Sequence, residues 1–420
     1  MEKRKDDRQP LTRLWGKVLK AAGLALVGLS LVCLPAVASA DQTIKIGVLE
    51  PLSGPLATIG KYELDSYRLA VEDINAAGGI KSMGGAKLEL VLADTECKAE
   101  VGMSQVEKLD REGVAVIMGA FQSGVTIPTT QVAEMKGIPY VVPISVADVI
   151  TQRGFKYTFR ACSSSHQAIE RQAEFVYEYV NGLSPKPFKT VGLFYENSAF
   201  GQTNAKYQKE MAAKYGVKVV VDIAYPSKSS DLSAEVAKLK AADPDVVLRT
   251  SYASDAIVIT KTMIELHYNP KFWLGFSGVS DNSYIKALGK YVEGTIFMDP
   301  FSPKVPGAAD VMARFQKKYN KPMASFSRSV YPVVWVVADA LERAGSADRD
   351  KLRDALAKTN IPPGERGNIM PYTMSFDETG QNVNAQYNAD QYLNGGWKVV
   401  WPEEWAEAKI LYPIPKWEDR

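Results

Sequence analysis

Nucleophiles, metal ligands and phosphate cradles all need particular residues at workable spacing, and this chain of 420 residues offers few such sets. His166 and His267 are the only histidines; neither sits in an HExxH zinc motif, and no CxxC pair occurs. Each reads more naturally as a surface or cap-adjacent residue than as a ligand. Gly275-Phe276-Ser277-Gly278 lacks the GxSxG spacing of a nucleophile elbow. A serine–histidine pair assembled in space has no local support. Gly119-Ala120-Phe121-Gln122-Ser123-Gly124 resembles a phosphate loop, but Val125-Thr126 stands where Lys-Ser/Thr should follow. No GxGxxG follows the first apolar strand; Ser53-Gly54-Pro55 makes a polar turn there. The chain is therefore expected to catalyse nothing, to carry no cofactor and to hold no metal.

Small hydroxyls and aromatic rings recur instead, just past predicted strands. Ser123, Ser145 and Ser277 occupy such places, as do Phe121, Phe200 and Tyr252. A hydroxyl beside the free N–H groups of a helix start suits an anionic oxygen, because those groups lack partners and the helix dipole is positive there. Pro128 fits a first turn, which puts that helix start around Ser123–Ile127. Any one of these serines is equally an ordinary cap; their recurrence is the signal.

The elements that must position them alternate strand and helix, the pattern of a doubly wound parallel sheet. Strands are expected over 43–49, 87–93, 114–119 and 139–143, with helices near 62–76, 101–111 and 128–135. Gly78-Gly79 should stop the first helix. A second series begins after a cap at 163–165, with a helix carrying Ile169, Ala173, Val176 and Val180. Its strands are expected over 190–195, 217–223, 246–249, 272–276 and 295–298. Helices are expected near 201–215, 232–241, 255–266 and 329–344. Two such units imply two similar α/β lobes with a cleft between them. In open parallel sheets ligands sit beyond the carboxyl ends of the strands, where the serines and rings lie.

The first forty residues read as an export signal. Lys3, Arg4, Lys5, Arg8, Arg13, Lys17 and Lys20 precede an apolar run from Ala21 to Leu34, and Ala38-Ser39-Ala40 is a small-x-small cleavage site. Cleavage after Ala40 and a periplasmic location are expected. Val32 before Cys33 argues against lipidation. Residues 1–40 hold seven basic and three acidic side chains, so the remainder has 43 basic and 45 acidic, a formal charge of −2. That balance supports neither a nucleic-acid nor a membrane-surface partner. With Cys33 removed, Cys97 and Cys162 are left either to form a disulfide, as an oxidising compartment allows, or to stay as two separate thiols.

An ordered series of segments resembles one family. It runs from Ile44-Lys45-Ile46-Gly47 through Leu52-Ser53-Gly54-Pro55 to Asp73-Ile74-Asn75-Ala76-Ala77-Gly78-Gly79-Ile80. It continues in Ile138-Pro139 to Pro143, Thr151-Gln152-Arg153-Gly154, and Tyr195 to Phe200-Gly201. These are similar to the type I periplasmic solute-binding proteins of ABC importers, in the branched-chain amino-acid branch. The resemblance implies two Rossmann-like lobes, 41–163 with 299–372 and 164–298 with 373–420, joined by three crossovers. It also implies a small-molecule ligand, importer permease subunits as partners, and a monomer.

Carried over residue by residue, the resemblance puts Ser123 at the family's carboxylate-binding serine, after Phe121-Gln122. Val146 stands at its threonine, with Ser145 alongside. Ser277 replaces the acid that pairs with an α-ammonium. Phe200, Tyr252 and Phe326 keep aromatic or apolar positions, and Ile59 fills a place often aromatic. Burying an ammonium without a carboxylate is costly, so the expected ligand is a small aromatic or branched carboxylate lacking the α-amino group. A slip in alignment restoring Asp148, Asp255 or Asp281 would leave an amino-acid receptor. An amide receptor and a ligand sensor on the same fold also stay open.

Overall fold

The computed structural model describes residues 43–420, so the expected signal, with Cys33 and the cleavage site, lies outside the described residues. Strands β1 (Thr43–Glu50), β2 (Lys87–Asp94), β3 (Val116–Gly119), β4 (Tyr140–Val142) and β5 (Thr158–Arg160) form a parallel sheet in the order β2-β1-β3-β4-β5. The sheet is parallel because helices connect its strands, and covering both faces buries β3 and β4 entirely.

A second sheet holds β6 (Thr190–Glu196), β7 (Lys218–Tyr225), β8 (Val246–Ser251), β9 (Phe272–Ser277) and β10 (Ile296–Asp299). A two-stranded piece follows, β11 (Asn360–Ile361) with β12 (Met374–Ser375). An antiparallel hairpin, β13 (Asn388–Leu393) and β14 (Gly396–Trp401), then completes the second sheet in the order β14-β13-β10-β9-β8-β6-β7. The two α/β lobes expected from the sequence are present.

The helix Ala57–Ala76 begins earlier than its apolar periodicity suggests, because Leu56 and Ile59 are buried at its start. It ends where expected: Gly79 sits at φ +70° and its N–H bonds the Ile74 carbonyl at 3.0 Å, a conformation cheap for glycine. The helix Ser325–Ala344 returns from the C-terminal half to pack on it. Glu342 there accepts from the backbone N–H groups of Lys81 (2.5 Å) and Ser82 (2.9 Å). Tyr331 donates to Asp73 at 2.7 Å. The cap expected at 163–165 is Ser164, in a reciprocal capping box with Gln167.

The disulfide expectation is corrected. Cys97 and Cys162 are free thiols. Cys97 follows β2 and Cys162 follows β5, the two opposite edges of the first sheet. Four inter-strand steps of about 4.8 Å separate those edges by about 19 Å, whereas bridged Cα atoms lie within about 7 Å. Each sulfur instead donates to a nearby carbonyl, Cys97 to Ser53 and Cys162 to Ser145, both at 3.6 Å.

Candidate ligand-binding site

The strand ends of both sheets converge on a narrow chamber of about 20 Å³. The first lobe supplies Phe121 and Ser123 after β3, and Ile144, Ser145 and Val146 after β4, while Phe326 comes from the first turn of the helix on Ala57–Ala76. From the second sheet come Phe200, Tyr252, Phe276 and Ser277, with Tyr387 just ahead of β13. Six of these eleven residues are aromatic and none is charged. The rings touch in sequence: Phe326–Phe121 at 5.6 Å, Phe121–Tyr252 at 6.0 Å, Tyr252–Phe200 at 5.4 Å, Phe200–Phe276 at 6.0 Å and Phe276–Tyr387 at 5.3 Å. Burial pushes the Tyr252 and Tyr387 phenols well above their ordinary range, so both stay neutral donors.

The polar groups gather at the first lobe. The helix Ser123–Met135 starts at the chamber; the N–H groups of Val125 and Thr126 both bond the Gln122 carbonyl at 2.9 Å. Among the described residues, no acceptor meets the N–H groups of Ser123, Gly124 or Val146. Ser123 Oγ accepts from the Ala147 N–H at 3.3 Å, which leaves its own proton free to donate. Ser145 differs. Its hydroxyl lies 2.8 Å from the Ala120 carbonyl, 2.9 Å from that of Phe121 and 2.6 Å from Thr126 Oγ1, so it braces the loop.

Two buried features hold this wall. Arg160, at the end of β5, donates to the carbonyls of Val146 (2.9 Å) and Ala147 (2.7 Å), to Thr151 Oγ1 (3.0 Å) and to Gln381 Oε1 (2.5 Å). It thereby fixes the loop that presents the Val146 N–H. Behind Phe121, the carboxyls of Glu50 and Glu63 lie together, both fully buried. Tyr67 donates to Glu50 at 3.0 Å. Burial pushes Glu50 up to about 8; burial, with the Glu50 charge, pushes Glu63 well above the carboxylate range.

On the second lobe, Ser277 ends β9 at φ +75°, ψ −95°, a region costly for any residue with a Cβ. The next residue must be glycine: a Cβ on Gly278 would meet the Tyr252 carbonyl oxygen at 2.4 Å. Close approach of these two strand-end turns is what brings Tyr252 and Ser277 to one wall.

A second chamber of about 260 Å³ adjoins the first, sharing Phe121, Tyr252, Ser277 and Phe326 with it. Ile59 lines this one and not the first. Gln122 lines neither; it caps the helix through its backbone, and its Oε1 is buried without a partner. The remaining expected site residues, Phe121, Ser123, Ser145, Val146, Phe200, Tyr252, Ser277 and Phe326, line the first chamber. Of the acids considered for an ammonium, Asp148 is buried away from both chambers, and Asp255 is fully buried under the Lys228 N–H and Ser254. Asp281 lines the second chamber. Ile144, Phe276, Tyr387 and Arg160 are not among the residues expected from sequence. The strand-end rule extends to Ile144 and Phe276; Tyr387 and Arg160 carry no such signal.

A family model described as periplasmic binding protein matches residues 43–390. The Leu/Ile/Val-binding protein homolog 7 of Brucella abortus (strain 2308) is 31% identical over 400 residues, covering 92% of this chain and 99% of the relative. Among solved structures, the branched-chain amino acid transporter substrate binding protein LivJ from Streptococcus pneumoniae, in complex with isoleucine, has a TM-score of 0.74 at 25% identity. That match covers 89% of this chain and 100% of the other. A solute binding protein of an ABC transporter from Rhodopseudomonas palustris BisB5, in complex with 3,4-dihydroxy benzoic acid, has a TM-score of 0.73 at 20% identity. It covers 84% of this chain and 95% of that one, a likeness of fold.

Proposed function

Because the chain belongs to the periplasmic binding protein family, we propose that it is an exported receptor for a small aromatic or branched carboxylate without an α-ammonium. Its two lobes hinge shut on the acid and present it to the permease of an ABC importer. One observation carries the ligand class: the first chamber has unpaired donors at one end, six rings around it and no carboxylate. The acid's oxygens meet Ser123 Oγ and the N–H groups at the helix start and at Val146, while its apolar body lies among the rings. An ammonium in the same chamber would face only ring faces and hydroxyls, at a cost of several kcal/mol for an unpaired buried charge.

A second reading rests on Asp281. A ligand shifted toward the second chamber would bring an ammonium to that carboxylate, which favours leucine, isoleucine or valine. Calorimetry with leucine, benzoate and small amides separates the two: tight leucine binding sinks the first reading, and benzoate binding with no leucine signal sinks the second. The receptor is expected to be monomeric, and export is tested by N-terminal sequencing of the periplasmic protein, which should start at Asp41.

A further inference from the structure

We infer that Arg160, buried behind the first chamber, supplies the positive charge that makes the site choose a carboxylate over the neutral amide of the same acid. This role rests on the carboxylate reading of that chamber. Arg160 lines neither chamber, so it positions and polarises other groups without touching the ligand. A continuous line of hydrogen bonds runs from it to the chamber wall. Its Nη1 donates to the Val146 carbonyl at 2.9 Å. The N–H of that same peptide unit, on Ala147, donates to Ser123 Oγ at 3.3 Å. Ser123 lines the chamber and keeps its own proton free to donate. Each bond in such a chain polarises the next, so a cation at one end strengthens the donor at the other.

The charge at the start of that line is unpaired. Arg160 is 1% exposed, and its acceptors are all neutral: the Val146 and Ala147 carbonyls, Thr151 Oγ1 and Gln381 Oε1. Among the described residues no carboxylate lies within ion-pair distance of it; Asp148 and Asp377 act on it only from farther off. Burial lowers its pKa from the ordinary value, yet a guanidinium keeps its proton inside proteins. The two buried acids behind Phe121 do not oppose it. Burial pushes Glu50 up to about 8 and Glu63 well above the carboxylate range, so both hold protons at neutral pH. A buried cation with no anion is costly to keep, and a ligand carboxylate at Ser123 is the anion it lacks. A unit charge about 10 Å away, at an effective dielectric constant of about 20, favours an anion over its neutral isostere by roughly tenfold.

Calorimetry with two matched pairs tests this: benzoate against benzamide, and isovalerate against isovaleramide. The acid of at least one pair is expected to bind the unmodified protein more tightly than its amide. Arg160→Gln should weaken that acid about tenfold and its amide by less than about threefold. Gln381→Glu gives the same reading without removing the arginine, should Arg160→Gln fail to fold. It leaves the bonds to the loop carbonyls in place and sets a carboxylate against the guanidinium, on the side chain that now accepts from Arg160 Nε at 2.5 Å. The acid should again lose about tenfold relative to the amide. A loss shared equally by acid and amide makes Arg160 a brace for the loop and overturns its electrostatic role, as does an acid-to-amide ratio that neither variant changes. The carboxylate reading survives both of those results. If no acid binds the unmodified protein more tightly than its amide, the carboxylate reading falls and takes this one with it.

Discussion

Ser123→Ala separates binding from bracing at the end of the cleft where we propose that a carboxylate binds. The Ser123 hydroxyl accepts from the Ala147 N–H, which leaves its own proton free to donate. A hydrogen bond to a charged partner contributes about 1.5–3 kcal/mol, so the substitution should weaken an acid such as benzoate by roughly ten- to a hundredfold. It also strands a buried N–H at Ala147, which costs about 1 kcal/mol of stability. Ser145→Ala is the control, with the opposite balance. Its hydroxyl is spent on Ala120, Phe121 and Thr126, so stability should fall by about 1–2 kcal/mol while affinity moves less than about threefold. Isothermal titration gives the dissociation constants, and urea unfolding of the empty proteins gives the stabilities. The reasoning is refuted if Ser123→Ala binds the acid as tightly as the unmodified chain, or if Ser145→Ala is the weaker binder of the two.

Gly278→Ala should drive the two strand-end turns apart, because its Cβ would stand 2.4 Å from the Tyr252 carbonyl oxygen; a lower thermal midpoint and about tenfold weaker binding or more are expected. Glu50 has a folded pKa of about 8 against an ordinary 4.5, so the fold keeps a proton that the unfolded chain releases. Stability should therefore fall as pH rises between those values, and Glu50→Gln should raise the urea midpoint more at about pH 8 than at about pH 5. Thiol titration of the unreduced, unfolded protein should find both Cys97 and Cys162; in the native state Cys97 should alkylate first, since burial pushes Cys162 up to about 12. Arg328→Met should destabilise by about 3–5 kcal/mol, because it removes the cation 3.3 Å from the fully buried Asp299, whose carboxyl lies against that of Asp390.

The parallel strands are legible because burial on both faces turns them into apolar runs bounded by Gly and Pro, as at Val116–Gly119 and Phe272–Ser277. The hairpin at the sheet edge is not. Asn388, Asp390 and Gln391 are buried in β13, yet they read as a polar loop. Their burial is stabilised by distant backbone: Asn388 donates to the Phe301 carbonyl and Gln391 to that of Gly294. Tyr387 is missed for the same reason, since it stands just ahead of that strand. The short β5, Thr-Phe-Arg, has too few residues for any period to show. Arg160 within it looks like a solvated charge until Gln381 and the loop carbonyls close around it. Strand-end position locates Phe121, Ser123, Val146, Phe200, Tyr252 and Ser277, because chain order alone sets which loops meet. Whether Ser145 offers its hydroxyl outward or inward is a matter of a single rotamer, and no pattern in one sequence encodes that. Cysteine spacing likewise carries no information about which sheet edge each thiol follows.

The chain of rings from Phe326 to Tyr387 has a consequence for selectivity. Phe121 and Tyr252 touch across the cleft in the place an acid's body would take. A guest must therefore replace ring–ring contacts worth about 0.5–1.5 kcal/mol each, and not simply fill a waiting void. Flat molecules that slide between two faces give back what they displace; round aliphatic ones restore less. The walls are thus the first competitor any solute meets.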